Sequence, residues 1–459
     1  MLGAWLERAR NIGWALANQR AHDARTRLPR PDLEALQRAR VRELVSYARA
    51  HSRFYRDLYG TAELELGELP VVTKDMMMAS FDDFVTDPRL RLDALLSHVQ
   101  GVEGDDRYQG EFRVMASSGS SGRSAVYVYD RAAWRELVAA SLRMGTMGGL
   151  APRLPRRTRI ATVAAPNGKH MTFRGGASMD VGLYRTRRFS VLSPLSEITR
   201  GLDEYQPDFL FGYPSALARL AEEQLDGRLH IAPRAVTTSS EVRTPEMTER
   251  MQRAWGITPF NCLGLTETGI TAMDCAEHRG LHLFEDLCIY EVVDAENRPV
   301  PSGHPGAKVL VTNLYNRVQP IIRFEVSDLV TVEDDPCPCG RTLRRIVALD
   351  GRSDDILELP GPSGPVRVFP FTLRSAIGKE ESVVEYRITQ DQAGLTVEVV
   401  LGQSAPHDAA ARVEQALAAA LRAEGSTATV RVLPVPAIPR ETGAGKLKHV
   451  RALGRARPA

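Results

Sequence analysis

Small hydroxyls, glycines and one arginine crowd into a single stretch of this chain, Ala116-Ser117-Ser118-Gly119-Ser120-Ser121-Gly122-Arg123-Ser124. Glycine lets the main chain come close to a ligand, and N–H and O–H groups in such a turn can converge on phosphate oxygens. Arg123 adds a planar cation able to grip two oxygens at once. The Walker A spacing is absent, so the stretch is either another kind of phosphate-binding turn or a flexible Ser/Gly linker. A second stretch, Leu263-Gly264-Leu265-Thr266-Glu267-Thr268-Gly269, sets a hydroxyl and a carboxylate behind a glycine turn. Such hard oxygens suit Mg2+, and the same residues could equally start a helix capped by Thr266. In Arg323-Phe324-Glu325-Val326-Ser327-Asp328 an acid follows an extended run, where it accepts from sugar hydroxyls or simply pairs with an arginine at a turn. Gly351-Arg352-Ser353-Asp354-Asp355 and the glycine-hinged lysine loop Thr442-Gly443-Ala444-Gly445-Lys446 complete the set.

The elements that must hold these groups follow from hydrophobic spacing. Residues 31–60 carry an apolar helical pattern opened by Pro31-Asp32. Short apolar, β-branched runs at 159–165, 208–213, 235–241 and 308–314 alternate with helical ones such as 215–225. That alternation predicts parallel strands covered by helices, an α/β architecture. The last hundred residues read as a compact α+β module, with strands at 385–390, 395–402 and 427–435 and an Ala-rich helix capped by Asp408. The expected division is 1–350 for a large domain with mixed or parallel sheets and 351–459 for a small one. Trp5, Leu6, Ile12, Trp14 and Leu16 are expected to form one face of an N-terminal helix packed on the body of the protein.

In order and spacing these pieces resemble the adenylate-forming superfamily of acyl-CoA synthetases, luciferases and nonribosomal adenylation domains. Within it, ASSGSSGR, LVSYARAHSRFYRDLYG, LPVVTKDMM, FGYPSALARLA, TTSSE, LGLTETG, IIRFEVSDLV and GRSDDIL are similar to the phenylacetate–CoA ligase branch and its capsule-biosynthesis-like relatives, over roughly residues 35–450. The resemblance implies ATP, Mg2+ and coenzyme A as ligands and a two-step reaction. An acid attacks the α-phosphate to give an acyl-adenylate and pyrophosphate, and a thiol then takes the acyl group.

It also implies the roles of particular residues. Ser117, Ser118, Gly119, Ser120, Ser121, Gly122 and Arg123 hold the β,γ-phosphates, and Thr266 and Glu267 face the α-phosphate and Mg2+. Ser239, Ser240, Glu241 and Leu263 line the adenine slot. Asp328 takes the ribose hydroxyls, with Arg352 in support. Lys446 bridges carboxylate and α-phosphate, on a small domain that is mobile about Asp354. Four departures from the usual pattern stand out. Arg123-Ser124 replaces Lys-Pro, and Leu263 replaces an aromatic whose stacking is worth about 0.5–1.5 kcal/mol. Glu325-Val326-Ser327 replaces Arg-Thr-Gly, and LPGPSGPVRVFP replaces an Arg-Gly turn after the hinge.

Five cysteines do not make a disulfide framework. Cys337-Pro338-Cys339 is a tight pair, and about 60 residues earlier stands Cys275 with His278 and His282 nearby. The spacing matches a closed Cys3His zinc site, against unliganded buried thiols as the alternative. His278 has the common C-x2-H spacing, whereas the zinc-bearing relatives resemble this chain at His282, the preferred fourth ligand. Cys262 and Cys288 sit in apolar surroundings and read as core residues. Asn167, His170, Tyr213 and Gly264 are candidates for the acid pocket because ligands of open α/β sheets sit at the carboxyl ends of strands.

Composition bounds the rest. With 59 basic and 57 acidic residues the net charge is +2, which gives no electrostatic ground for nucleic acid as a partner. No apolar run is long enough for a membrane span, charges interrupt the N-terminal apolar stretch where a signal peptide would need none, and a cytoplasmic location is expected. The expected partners are a small carboxylic acid and a thiol acceptor, in a monomer or homodimer. An amine acceptor, as in amide synthetases of secondary metabolism, is the alternative, and a non-catalytic nucleotide-binding descendant is the remaining one.

Overall fold

The computed structural model describes residues 2–117, 125–148, 156–166, 168–182, 184–392, 394–403, 405–441 and 445–453. Among them the largest sheet has nine strands. Tyr184–Ser190, Thr158–Ala164, Phe209–Gly212, Ala235–Ser239 and Phe260–Leu265 run parallel in that order. Gly269–Met273, Leu281–Leu283, Arg345–Arg352 and Asp328–Glu333 continue it antiparallel. The parallel half follows the expected rhythm. Its inner strands are nearly continuous apolar or small runs because helices such as Pro214–Leu225 and Pro245–Trp255 cover them. Lys308–Asn313 departs from that series: it pairs antiparallel with Cys288–Val293 and Phe324–Val326 in a separate sheet. Short apolar runs carry no record of strand direction, so the sequence could not tell the two apart.

Residues 357–452 gather a hydrophobic core of their own around Leu357, Leu373, Ile388, Val397, Val413 and Leu417. There Val383–Gln390 and Gly394–Leu401 form a hairpin, and the helix Ala409–Ala423 crosses over to Thr429–Pro434, which pairs parallel to the second strand. Asp408 stands at the N-cap of that helix, but its side chain makes no capping hydrogen bond. The strand Arg345–Arg352 stays in the large sheet through Arg352, opposite Asp328.

The N-terminal helix Leu2–Arg25 packs on Arg131–Met147 by only part of the face its large apolar residues mark, Ile12 and Trp14. Ile12 and Ala15 are buried, whereas Trp5, Leu6 and Leu16 are 40–51% exposed. Polar contacts decide the rotation: Glu7 pairs with Arg107 and Arg113, and Asn11 accepts from Arg135. No helix among the described residues is long and apolar enough to cross a membrane.

Candidate active site

The carboxyl ends of the parallel strands open into a cleft of about 750 Å3 between the large sheet and the C-terminal unit. Ser117, His170, Ser240, Glu241, Leu263, Gly264, Asp328 and Arg352 line it from one side and Lys446 from the other. Below it runs a narrower pocket of about 180 Å3 between the sheet and the helices Arg131–Met147 and Met171–Ser178. Its walls include Leu137, Ile160, Met179, Phe209, Phe211 and Tyr213, with Ser239 and Thr266 near its mouth. His170, Ser240, Gly264 and Lys446 border both spaces.

The Thr266-Glu267-Thr268 segment is a hairpin turn between Phe260–Leu265 and Gly269–Met273, not a helix start. It is held from outside. The Tyr127 hydroxyl donates to the Glu267 carboxylate at 2.7 Å, Tyr129 to the Thr266 carbonyl at 2.9 Å and Tyr315 to the Thr268 carbonyl at 2.8 Å. Asn313 donates to the Glu267 carbonyl. Gly269 closes the turn at φ +70°, where a Cβ would lie 2.7 Å from the Tyr315 hydroxyl oxygen, so only glycine fits. Tyr127 and Tyr129 belong to Val126–Tyr129, the strand that directly follows the Ser/Gly stretch. At that stretch's base Ser117 and Ala125 exchange hydrogen bonds of 2.9 and 3.1 Å, the Ser117 hydroxyl oxygen accepting in the second. Ser118, Gly119, Ser120, Ser121, Gly122 and Arg123 lie outside the described residues, as does Asn167.

Asp328 is buried, with one carboxylate oxygen 3.4 Å from Arg352 Nε and the other without a partner. An orphaned acceptor at the rim of a cleft is what a pair of sugar hydroxyls requires. Asp328 in turn raises the pKa of Arg352, fixing its positive charge. Asp354 accepts from the Ser327 hydroxyl, and its neighbour Asp355 borders the cleft 4.0 Å from Lys448, its carboxyl pushed up to about 6 by burial. Burial lowers the Lys446 pKa, assisted by Arg352 and opposed by Glu241. The Lys446 loop approaches so closely that a Cβ on Gly445, at φ +65°, would collide with Val191. Tyr213 is fully buried in the pocket wall with its hydroxyl 3.3 Å from the Ala165 N–H.

Sequence reasoning missed several residues here. Lys74, near the start of the chain, lies within the field of Glu267, Arg352 and Asp354, and burial lowers its pKa. Tyr127, Tyr129 and Arg440 had no local signal, since each reaches a partner more than a hundred residues away in the chain.

Cys275, His282, Cys337 and Cys339 bring their donor atoms within 4.8 Å of one another, and the cysteines pack in a cluster with Ala140 and Met147 of the helix Arg131–Met147. Sulfur and nitrogen bonds of roughly 2.3 and 2.0 Å around a tetrahedral ion require S–S and S–N separations near 3.8 and 3.5 Å. The Cys275–Cys337 distance is 3.8 Å and Cys339–His282 Nε2 is 3.4 Å. Burial holds the His282 pKa down to about 4, so the ring is neutral, the form that ligates metal. His278 stands outside that group: it bonds Asp274 at 3.0 Å, and its ring lies tilted against Phe260. The backbone at His278 is itself left-handed, φ +47°. Cys262 and Cys288 are buried core thiols with pKa values raised by burial.

Set against known proteins, no family model matches the chain. A crystal structure of a 2-hydroxyisobutyryl-CoA ligase in the postadenylation state overlays on 94% of this chain and 91% of its own, with TM-score 0.75 at 21% identity. In its thioesterification state the same ligase scores 0.60 over 93% and 91%. The relative placement of the two units here is thus nearer the former. This is the fold of adenylate-forming ligases. A phenylacetate–coenzyme A ligase of Thermus thermophilus is 28% identical over 92% of this chain and 97% of its own length. One of Escherichia coli K12 is 30% identical over 64% of this chain and 67% of its own. The chain belongs to the phenylacetate–CoA ligase branch of the adenylate-forming superfamily, as an ATP-dependent, AMP-forming ligase.

Proposed function

We propose that this protein activates a small, largely apolar carboxylic acid with ATP and passes the acyl group to coenzyme A. One observation carries the proposal: Lys446 borders both the polar cleft and the apolar pocket, at the junction where a carboxylate and an α-phosphate would meet. The acid's apolar body fills the pocket and its carboxylate emerges between His170, Gly264 and Lys446. A carboxylate oxygen attacks the α-phosphorus, the bond to the bridging oxygen breaks, and pyrophosphate leaves. Positioning and charge neutralisation, not covalent help, are what such a transfer requires. Lys446 holds the two reacting anions together, and the unpartnered oxygen of Asp328 takes the ribose, with Arg352 beside it. The Ser/Gly stretch, Arg123 included, receives the β,γ-phosphates. Ser239, Ser240 and Leu263 border the base, and Asp354 marks the hinge at the entrance to a small unit, 351–459. Mg2+, held by Glu267 and Thr266, would supply charge neutralisation on the phosphates. Zn2+ fits the Cys275–His282–Cys337–Cys339 set as a structural ion. In the second step the thiol sulfur attacks the carbonyl carbon, loses its proton, and AMP departs.

An acid panel centred on aryl and branched short-chain acids tests this, with pyrophosphate release and thioester formation both followed. Acid-dependent pyrophosphate release with a thioester formed on adding coenzyme A is expected. Release that continues without any thioester, but yields an amide when amines are supplied, would replace the thiol acceptor by a nitrogen one. No release with any acid would overturn adenylation itself.

A further inference from the structure

Glu241 does more than border the cleft. Its carboxylate has 3% side-chain exposure and is fully engaged: one oxygen accepts from the Leu447 N–H at 2.7 Å, the other from the Ser215 N–H at 3.2 Å. Ser215 stands in the first turn of the helix Pro214–Leu225, whose N-terminal N–H groups lack partners within the helix. Leu447 belongs to the C-terminal unit and directly follows Lys446. A second link lies beside the first. Arg440 donates to the Ser215 hydroxyl at 2.9 Å and to Glu385 at 3.0 Å, and its guanidinium is 3.8 Å from Glu241. It also reaches the Gly445 carbonyl at 3.4 Å, inside the lysine loop. Glu385 belongs to the strand Val383–Gln390 of the same C-terminal unit.

The partition of these contacts is informative. Arg440 with Glu385, and Glu241 with the Ser215 N–H, are each made within one unit and survive separation. Only Arg440 to Ser215 Oγ, Arg440 to Glu241, and Leu447 N–H to Glu241 cross the boundary. Removing one partner from a buried charge cluster is strongly unfavourable because it strands the other. Here neither unit strands a charge when the two part, since each carboxylate keeps a donor. The contact is therefore specific when closed and releasable when open.

We propose that Arg440, Ser215 and Glu241 are positioning residues forming a releasable clasp that holds Lys446 over the acid pocket for adenylate formation and lets go for acyl transfer. The clasp rests on the adenylating role of Lys446 given above. Misplacing a catalytic group by about 1 Å costs on the order of 100-fold. Arg440→Gln is expected to lower acid-dependent ATP–pyrophosphate exchange about 10- to 100-fold, through kcat with little change in KM for ATP, and Ser215→Ala about 3- to 10-fold. Arg440→Lys should restore part of the loss. Thioester formation from supplied acyl-adenylate should stay within about 2-fold, because with the adenylate already made that step no longer needs Lys446 between carboxylate and α-phosphate.

Amide hydrogen exchange reads the clasp without any acid. The 445–451 segment should exchange at least about 10-fold faster in Arg440→Gln, with Val383–Gln390 and Gly394–Leu401 still protected. Unchanged exchange at Leu447 in Arg440→Gln, or equal loss of both half-reactions in both variants, would overturn the clasp. A wild-type protein that adenylates no acid would instead count against the role of Lys446, a failure distinguishable from the first.

Discussion

The cleft at Lys446 and the cluster at Cys275 both collect residues from distant parts of the chain, yet they do it in opposite ways. The cleft takes its groups from two separately packed units, leaves an oxygen of Asp328 without a partner and keeps charges such as Arg352 half in solvent. The cluster sits within one unit, with His282 on the strand Leu281–Leu283 and the cysteines in the connections that follow Gly269–Met273 and Asp328–Glu333, and three of its four residues are buried. It is also tied down: Arg27 donates to the Cys339 carbonyl and the Thr342 N–H to the Thr26 carbonyl, which fastens the end of the N-terminal helix to the cluster loop. A site that must bind, react and release keeps unsatisfied groups and a boundary that can open. A site that only has to hold lies inside one packed unit, with most of its residues shut away from solvent.

The sharpest way to break this contrast is at Lys446. Lys446→Ala should lower acid-dependent ATP–pyrophosphate exchange by about 1,000-fold, the scale seen when one charge-stabilising group is removed from a transition state. Melting temperature should not move, and thioester formation from preformed adenylate should persist. Equal loss in both half-reactions would deny the lysine its place in the first.

Cys337→Ser, or prolonged chelation, should give the mirror image. About one zinc per chain should be lost together with more than about 4 kcal/mol of stability, since loss of a structural metal belongs among the largest single-residue effects. Exchange activity per folded molecule should change little. An unaltered unfolding curve, or no zinc by elemental analysis, would remove the structural role.

The smallest effect sharpens the comparison at its border, in Asp355. Its pKa is raised to about 6 in the fold from the usual 3.8, chiefly by burial, with Lys448 and Arg352 opposing. The folded state therefore favours the neutral form, an advantage complete below pH 4 and lost as pH rises through 6. Asp355→Asn should raise stability at pH 8 by about 1–2 kcal/mol, less than the roughly 3 kcal/mol a shift of about two units allows, because the partly exposed carboxylate is screened by solvent. The gain should shrink below pH 6 and close near pH 4 in thermal melts. A constant gain across that range would mean that burial of the charge is not the cause.

Much of this was legible in the residues themselves. The parallel strands around 159–165, 208–213 and 235–239 announced themselves because fully covered strands are short apolar runs. Asp328, Arg352, Lys446, Gly264 and Ser240 were found in separate motifs, and the fold brings all five to one cleft. The misses have one physical source. Strand direction at Lys308–Asn313 and the packed face of the first helix each depend on partners far along the chain. Local spacing could not rank those alternatives.

The amino-acid sequence by itself determined the kinds of chemistry available: a glycine-rich hydroxyl stretch, a carboxylate turn, a hinged lysine and a thiolate pair, in an order that marks an adenylate-forming ligase. Only the tertiary structure decided which of these groups share a space, which carboxylate is left open and which is occupied, and that Arg440 and Glu241 join the two units beside Lys446. The reason is that residue type and spacing set what a group can do. Burial, field and hydrogen-bond satisfaction set what it does, and these arise only when segments hundreds of residues apart are packed together.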